Sequence, residues 1–182
     1  MKKLIQLALL TALTLSQAYA GNLDTKGSEL KWKASKGAAG FKLGGHNGKI
    51  FFKDGNVKVD DGKLVGGDFT VDMTNFTVDD MSGEWAEKLK THLKSGDFFK
   101  TDKYPTSNLK IKSVNGKSVT ADLTINGKTN EVKFDYKKSG DKYSGKLVFN
   151  RTKFDMHYNS DKSLGDKFIH DEVELEFAVK AK

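Results

Sequence analysis

The residues able to do chemistry in this chain are few and scattered. Four histidines stand at His46, His92, His157 and His170, and none is spaced from another so as to share a metal ion. His170-Asp171-Glu172 is the densest cluster, but neighbours in a strand point to opposite faces. There are no cysteines, so thiolate ligands, thiol nucleophiles and disulfides are excluded. Serines occur without a G-x-S-x-G elbow. The glycine-rich stretch GAAGFKLGGHNG, Gly37 to Gly48, lacks the Lys-Ser/Thr ending of a phosphate loop. Its glycines suit bends and bulges instead. No catalytic residue, metal site or cofactor is assigned.

What remains is the chemistry of an apolar interior. Trp32, Phe69, Met73, Trp85, Leu89, Phe98, Phe99, Phe134, Phe149, Phe154 and Phe168 together would line a space suited to an alkyl chain. Burying such a chain contributes ~0.8 kcal/mol per methylene. An exposed lysine–phosphate contact contributes only ~0.2–1 kcal/mol. The tail of an amphiphile would therefore set affinity, and its head would set orientation. Arg151, the sole arginine, either pairs with a carboxylate inside or at the rim of the structure or meets a ligand headgroup.

The elements that must position these residues are strands. Leu30, Trp32 and Ala34 alternate with polar residues, as do Phe69, Val71 and Met73, and Val173, Leu175, Phe177 and Val179. Period two means one buried face and one wet face. Asp54-Gly55, Asp61-Gly62, Asn115-Gly116, Asn126-Gly127 and Ser139-Gly140-Asp141 read as tight turns. Local connections throughout predict an all-β, antiparallel up-and-down barrel. One segment breaks the pattern. Ser82 can cap a helix starting near Gly83 or Glu84, with Trp85, Leu89 and Leu93 on one face and Gly96 ending it. Phe98-Phe99 and Tyr104-Pro105 follow. A short amphipathic helix needs an apolar surface, and a barrel offers one at its open end. The helix and the two phenylalanines are expected to form a lid, over either a packed core or a cavity.

Residues 1–20 read as a secretory signal peptide, with Lys2 and Lys3 before an apolar run and Ala18-Tyr19-Ala20 as the cleavage site. This predicts a single mature domain over residues 21–182 and a periplasmic or secreted product. The net charge of +7 becomes +5 without Lys2 and Lys3. That balance favours anionic surfaces. The basic residues are almost all lysines, and export together with the scarcity of arginine argues against nucleic acid.

Several stretches carry a resemblance. GGHNGKI (Gly44 to Ile50), GKLVGGDFTVDM (Gly62 to Met73) and KLKTHLKSGDFFKTDKYPT (Lys88 to Thr106) resemble the YceI-like family of exported polyisoprenoid-binding proteins. LTINGKTNEVKF (Leu123 to Phe134), FNRTKFDM (Phe149 to Met156) and GDKFIHDEVELEF (Gly165 to Phe177) match as well. The resemblance implies a lipocalin-like barrel around an elongated apolar tunnel. It implies a long-chain isoprenoid or fatty-amphiphile ligand and no established catalytic activity. An enzyme acting on a lipid at the barrel mouth, or a stress protein sequestering quinones or membrane breakdown products, are the alternatives. Transient contact with a membrane surface and a homodimer are left open.

Overall fold

The computed structural model describes residues 19–38 and 41–182. The expected signal peptide lies outside them, apart from Tyr19 and Ala20. Nine strands and one helix are present among the described residues. They are β1 (Tyr19–Asn22), β2 (Glu29–Lys36), β3 (Gly44–Asp60), β4 (Lys63–Phe76), α1 (Gly83–Lys94) and β5 (Thr106–Asn115). β6 (Ser118–Ile125), β7 (Lys128–Ser139), β8 (Lys142–Asn150) and β9 (Ile169–Lys180) complete the order. From β2 to β9 each strand pairs with the next in sequence, always antiparallel. β9 then returns to β2, with Trp32 opposite Leu175. Eight strands thus close an up-and-down barrel, as the alternation and local turns predict.

The ninth strand explains an irregularity. β3 has 17 residues, more than β2 can cover. β2 pairs with its first half (Leu30 opposite Ile50), and β1 with its second (Ala20 opposite Lys58). β1 and β2 therefore act as one interrupted strand. Asp54-Gly55 lies near this break. It is not the turn its sequence suggests but a register shift inside β3, between Phe52 and Asp54. A Cβ at Gly55 would come within 2.9 Å of Asp68 O and 3.1 Å of Leu23 Cδ2, so close approach, not reversal, is what this glycine provides. Two of the true reversals take the expected conformation, whereas at Gly116 and Gly140 only the glycine has positive φ. Asp61 and Gly62 both have positive φ (46° and 70°), as do Asn126 and Gly127 (52° and 68°), the pattern of a two-residue type I′ hairpin.

α1 covers one end of the barrel, where β4 gives way to β5. Its buried residues are Ala86 and Leu93, Leu89 packs beside them, and Trp85 is 68% exposed. The row Trp85, Leu89, Leu93 slants by about 80° around the helix, since each step of four residues overshoots a full turn. Ala86, Leu89 and Leu93 face the barrel, and Trp85 at the edge of the row turns to solvent, with Lys88 Nζ 4.9 Å from its ring centroid. The helix ends differently from expectation too. Gly96 is not left-handed; Ser95 leaves in extended backbone (φ −70°, ψ −178°). The final carbonyls are satisfied from the lid segment: Phe99 N–H donates to Leu93 O at 3.0 Å and Thr101 N–H to Lys94 O at 3.1 Å. The segment carrying Phe98 and Phe99 is thereby fastened under the helix.

At the opposite end the barrel is narrowed. Lys138, near the β7–β8 turn, donates to Gly62 O in the β3–β4 turn at 2.6 Å. Those two hairpins stand across the barrel from one another in the strand order.

Candidate ligand-binding site

The inward faces of the strands do not meet. Between them runs an apolar cavity of about 170 Å³. At the α1 end it is walled by Leu93, Phe98, Phe99, Ile125 and Met156, and at the turn end by Val57, Leu64, Tyr136, Tyr143 and Val179. It therefore runs the length of the barrel. A dry apolar cavity of about 150 Å³ holds a benzene-sized ligand, so the tube in this state has the bore for a slim chain and the volume for a short one.

Eight of the twelve residues named from sequence stand on this wall: Trp32, Phe69, Met73, Phe98, Phe99, Phe134, Phe149 and Arg151. The other four do not. Trp85 is in solvent. Leu89 packs on the core from the helix without reaching the cavity. Phe154 is 1% exposed and meets Phe149 edge-on at 5.4 Å between centroids, so it backs the wall from behind. Phe168 is buried against His170, 5.0 Å away. Both phenylalanines sit in or beside the 3-10 turns between β8 and β9, where period two no longer applies.

Trp32 shows how the wall is built. Its indole Nε1 donates to Thr77 O at 3.1 Å, just beyond β4. Opposite it on β3 is Gly48. A Cβ there would lie 1.9 Å from Thr77 O and 2.8 Å from Trp32 Nε1. The glycine makes room for the indole hydrogen bond. His46, two residues earlier, binds Asp80 Oδ2 through Nδ1 at 2.8 Å, and Asn47 N–H donates to Asp80 Oδ1 at 2.9 Å. His46 thus ties the start of β3 to the loop leading into α1.

Arg151 is 2% exposed. Its Nε donates to His170 O (3.2 Å) and Nη1 to Met156 O (2.9 Å). Nη2 donates to Ser160 Oγ (3.2 Å) and Ile169 O (2.9 Å). Asp171 Oδ1 is 3.7 Å away. Burial pushes the guanidinium pKa down and Asp171 opposes this. Of the two readings of Arg151, the structural one describes these contacts: it organises the chain between β8 and β9, mostly through carbonyls, with the carboxylate secondary.

One residue that the sequence marked only as a turn does more. Asn126 is 4% exposed and its Nδ2 donates to Phe98 O at 2.6 Å and Phe154 O at 3.1 Å. It clamps the lid segment to the chain after β8. The dipeptide Asn-Gly carried no sign of this, because an Asn suits a left-handed turn whether or not its amide has a distant partner. Tyr136 and Tyr143, with ring centroids 5.9 Å apart, also stand on the wall. Burial, then the neighbouring Tyr136 and Asp141, push the Tyr143 pKa up, so its hydroxyl stays neutral at the turn end of the cavity.

Among the described residues, no group of three or more His, Cys, Asp and Glu is placed to hold a metal ion. The histidine–carboxylate pairs His46–Asp80, His92–Asp97 and the looser His157–Asp155 lie off the cavity. His92 packs instead on Phe98 and Tyr158, with centroids 5.1 and 4.7 Å away.

A closed antiparallel barrel, capped by one helix and hollow along an apolar axis, defines a lipocalin-like class consistent with a binding protein. The profile of the YceI-like domain matches residues 22–181, and the chain belongs to that family. It is 35% identical over 100 residues to a UPF0312 protein of Staphylococcus aureus (strain bovine RF122 / ET3-1), covering 49% of this chain and 58% of the relative. A second UPF0312 protein, from S. aureus strain USA300, is 35% identical over 105 residues, 52% of this chain and 61% of the relative. The chain thus spans about six-tenths of the length of these relatives. Among solved structures, it resembles Burkholderia cenocepacia BcnA with a TM-score of 0.66 at 20% identity, covering 88% of this chain and 99% of that one. A mutant CJ YceI protein aligns with a TM-score of 0.52 at 20% identity, covering 74% and 85%. Both similarities concern the fold.

Proposed function

We propose that this protein is an exported carrier for an isoprenoid-like lipid whose apolar chain occupies the barrel interior. The observation that carries this reading is the continuous apolar cavity from Phe98 and Phe99 to Tyr136 and Tyr143. Family membership supports it, since the barrel and the lid stretch are what the resemblance rests on. Binding without turnover is the favoured mode. The polar side chains on the wall are Ser107, Asn108, Tyr136, Tyr143 and Arg151, and the carboxylates near Asn108 and Arg151 are bound up with those side chains, Asp68 accepting from Asn108 and Asp171 facing Arg151, which suits structure more than proton transfer. The localisation expected from residues 1–20, periplasmic or secreted, fits a carrier that meets lipid at a membrane surface.

Native mass spectrometry on protein purified from its own cell envelope, followed by lipid extraction, tests the reading. A bound amphiphile with an unbroken apolar chain is the expected result. Protein carrying no adduct, and showing no rise in melting temperature with any chain lipid, would overturn it.

A further inference from the structure

β5 begins as the chain leaves the lid, and its residues alternate about the barrel wall. Leu109 and Ile111 line the cavity. Ser107 shares their parity and lines it as well, opposite Val71 on β4, which also faces inward. Ser107 is 6% exposed, and its Oγ has no hydrogen-bond partner. A hydroxyl left unmatched in apolar surroundings is destabilising. Alanine at this place would fill nearly the same volume without that cost.

The other polar side chains at this end are committed elsewhere. The Asn108 amide donates to Asp68 Oδ1 (2.7 Å) and Thr70 Oγ1 (3.3 Å). Arg151 donates to Met156, Ser160, Ile169 and His170. Ser107 alone of the three offers an unsatisfied group to whatever enters.

We infer that Ser107 is a polar anchor for the bound lipid. On this view the cargo carries an oxygen function (a hydroxyl, or the carbonyl of an ester, amide or quinone) that sits inside the tube at the level of Val71 and Ser107, beneath the lid. The chain beyond it runs toward Tyr136 and Tyr143. A pure hydrocarbon fits the same wall but leaves the serine unmatched. Selection between an oxygenated lipid and its hydrocarbon counterpart then comes from a single hydroxyl. Buried polar groups discriminate strongly because the wrong ligand leaves them unpaired. This inference rests on the carrier reading above.

The test uses farnesol and farnesene, which share a carbon skeleton, farnesene carrying a further double bond in place of the hydroxyl, with the full-length mature protein and Ser107→Ala. Two effects of opposite sign are expected. Without ligand, Ser107→Ala should melt about 2–4 °C higher, the shift that follows from relieving about 1 kcal/mol in a chain of this size. With ligand, the unmodified protein should prefer farnesol to farnesene about fivefold, the worth of one net hydrogen bond. The variant should lose that preference through weaker farnesol binding, with farnesene unchanged. Val71→Ala, opposite Ser107 but without a hydroxyl, should weaken both probes alike. An unchanged farnesol preference in Ser107→Ala would overturn the anchor while leaving the carrier reading intact. If neither probe binds the unmodified protein, the anchor falls, and the carrier reading stands or falls separately on the lipid extraction above.

Discussion

At the scale of single residues, two buried polar side chains fix the chain around the cavity mouth. Asn126 joins three segments through one amide. Replacing it with glycine preserves the left-handed turn and removes only the clamp. Asn126→Gly should therefore cost about 1–3 kcal/mol, since the carbonyls of Phe98 and Phe154 lose their donor. Amide exchange at Phe99 and Thr101 should accelerate in parallel; unchanged exchange there would show that the amide does not restrain the lid. Arg151→Met should cost more, about 3–5 kcal/mol, because it leaves several buried carbonyls without a donor and takes the facing charge from the part-exposed Asp171. Denaturant titration measures this directly, and a loss under about 1 kcal/mol would mean that the network is not structural. Trp85 provides the contrast. It is the largest apolar side chain on α1 and lies in solvent. Trp85→Ala should change stability by no more than about 0.5 kcal/mol.

At the scale of elements, the lid and its hinge act separately. Phe98 and Phe99 close the cavity from above, so alanine at either position should abolish or blunt the ligand-induced rise in melting temperature. Each truncation also lowers intrinsic stability by about 3–5 kcal/mol, and the control must reproduce that loss away from the ligand. Val119 is fully buried and off the wall; Val119→Ala should start less stable yet keep the ligand-induced rise. The hinge is the Asp80 carboxylate, which holds β3 to the approach of α1. Partial burial pushes its pKa up, but the Asn47 amide and His46 outweigh this and hold it below the ordinary 3.8. Its contribution is thus fully present above pH 3.8 and is lost as the pH falls through the lowered folded value. The stability difference between the unmodified protein and Asp80→Asn should shrink as acid is added below that pH. A difference that stays constant down to the acid transition would contradict this role.

At the scale of the whole molecule, the barrel is a tube capped by α1 at one end and spanned by the Lys138–Gly62 bridge near the other. Closure through β2 and β9 completes the ring of strands, and the β7–β8 seam, paired only from Tyr136–Gly145 to Ser139–Lys142, is where the wall is least laced. Affinity should then follow chain length in a particular way. In a series of straight-chain primary alcohols, each added methylene should tighten binding about fourfold until the tube is filled, after which the gain should stop. Isothermal titration across the series would locate that break. A flat series would show that the chain does not enter the barrel.

The sequence alone determined what depends on local chemistry. Alternation at period two, Asp61-Gly62 and Asn126-Gly127 specify antiparallel strands, because side-chain parity and positive φ are properties of neighbouring residues. The helix was legible for the same reason, with acidic Glu84 early and Lys94 late. Five wall residues, Trp32, Phe69, Met73, Phe134 and Phe149, were legible because inward parity and apolar type coincide on a strand. Tertiary structure decided the rest. Trp85 faces water because the helix rolled onto Ala86, Leu89 and Leu93 when it met the barrel rim. Asp54-Gly55 became a bulge because one long strand had to pair with two short ones in succession. Phe154 and Phe168 lie off the wall because they belong to the connection between β8 and β9, where no period assigns a face. Asn126 and Ser107 gained their meaning only from partners, present for one and absent for the other, 28 or more residues away in sequence. Nothing local to a residue encodes a contact of that range.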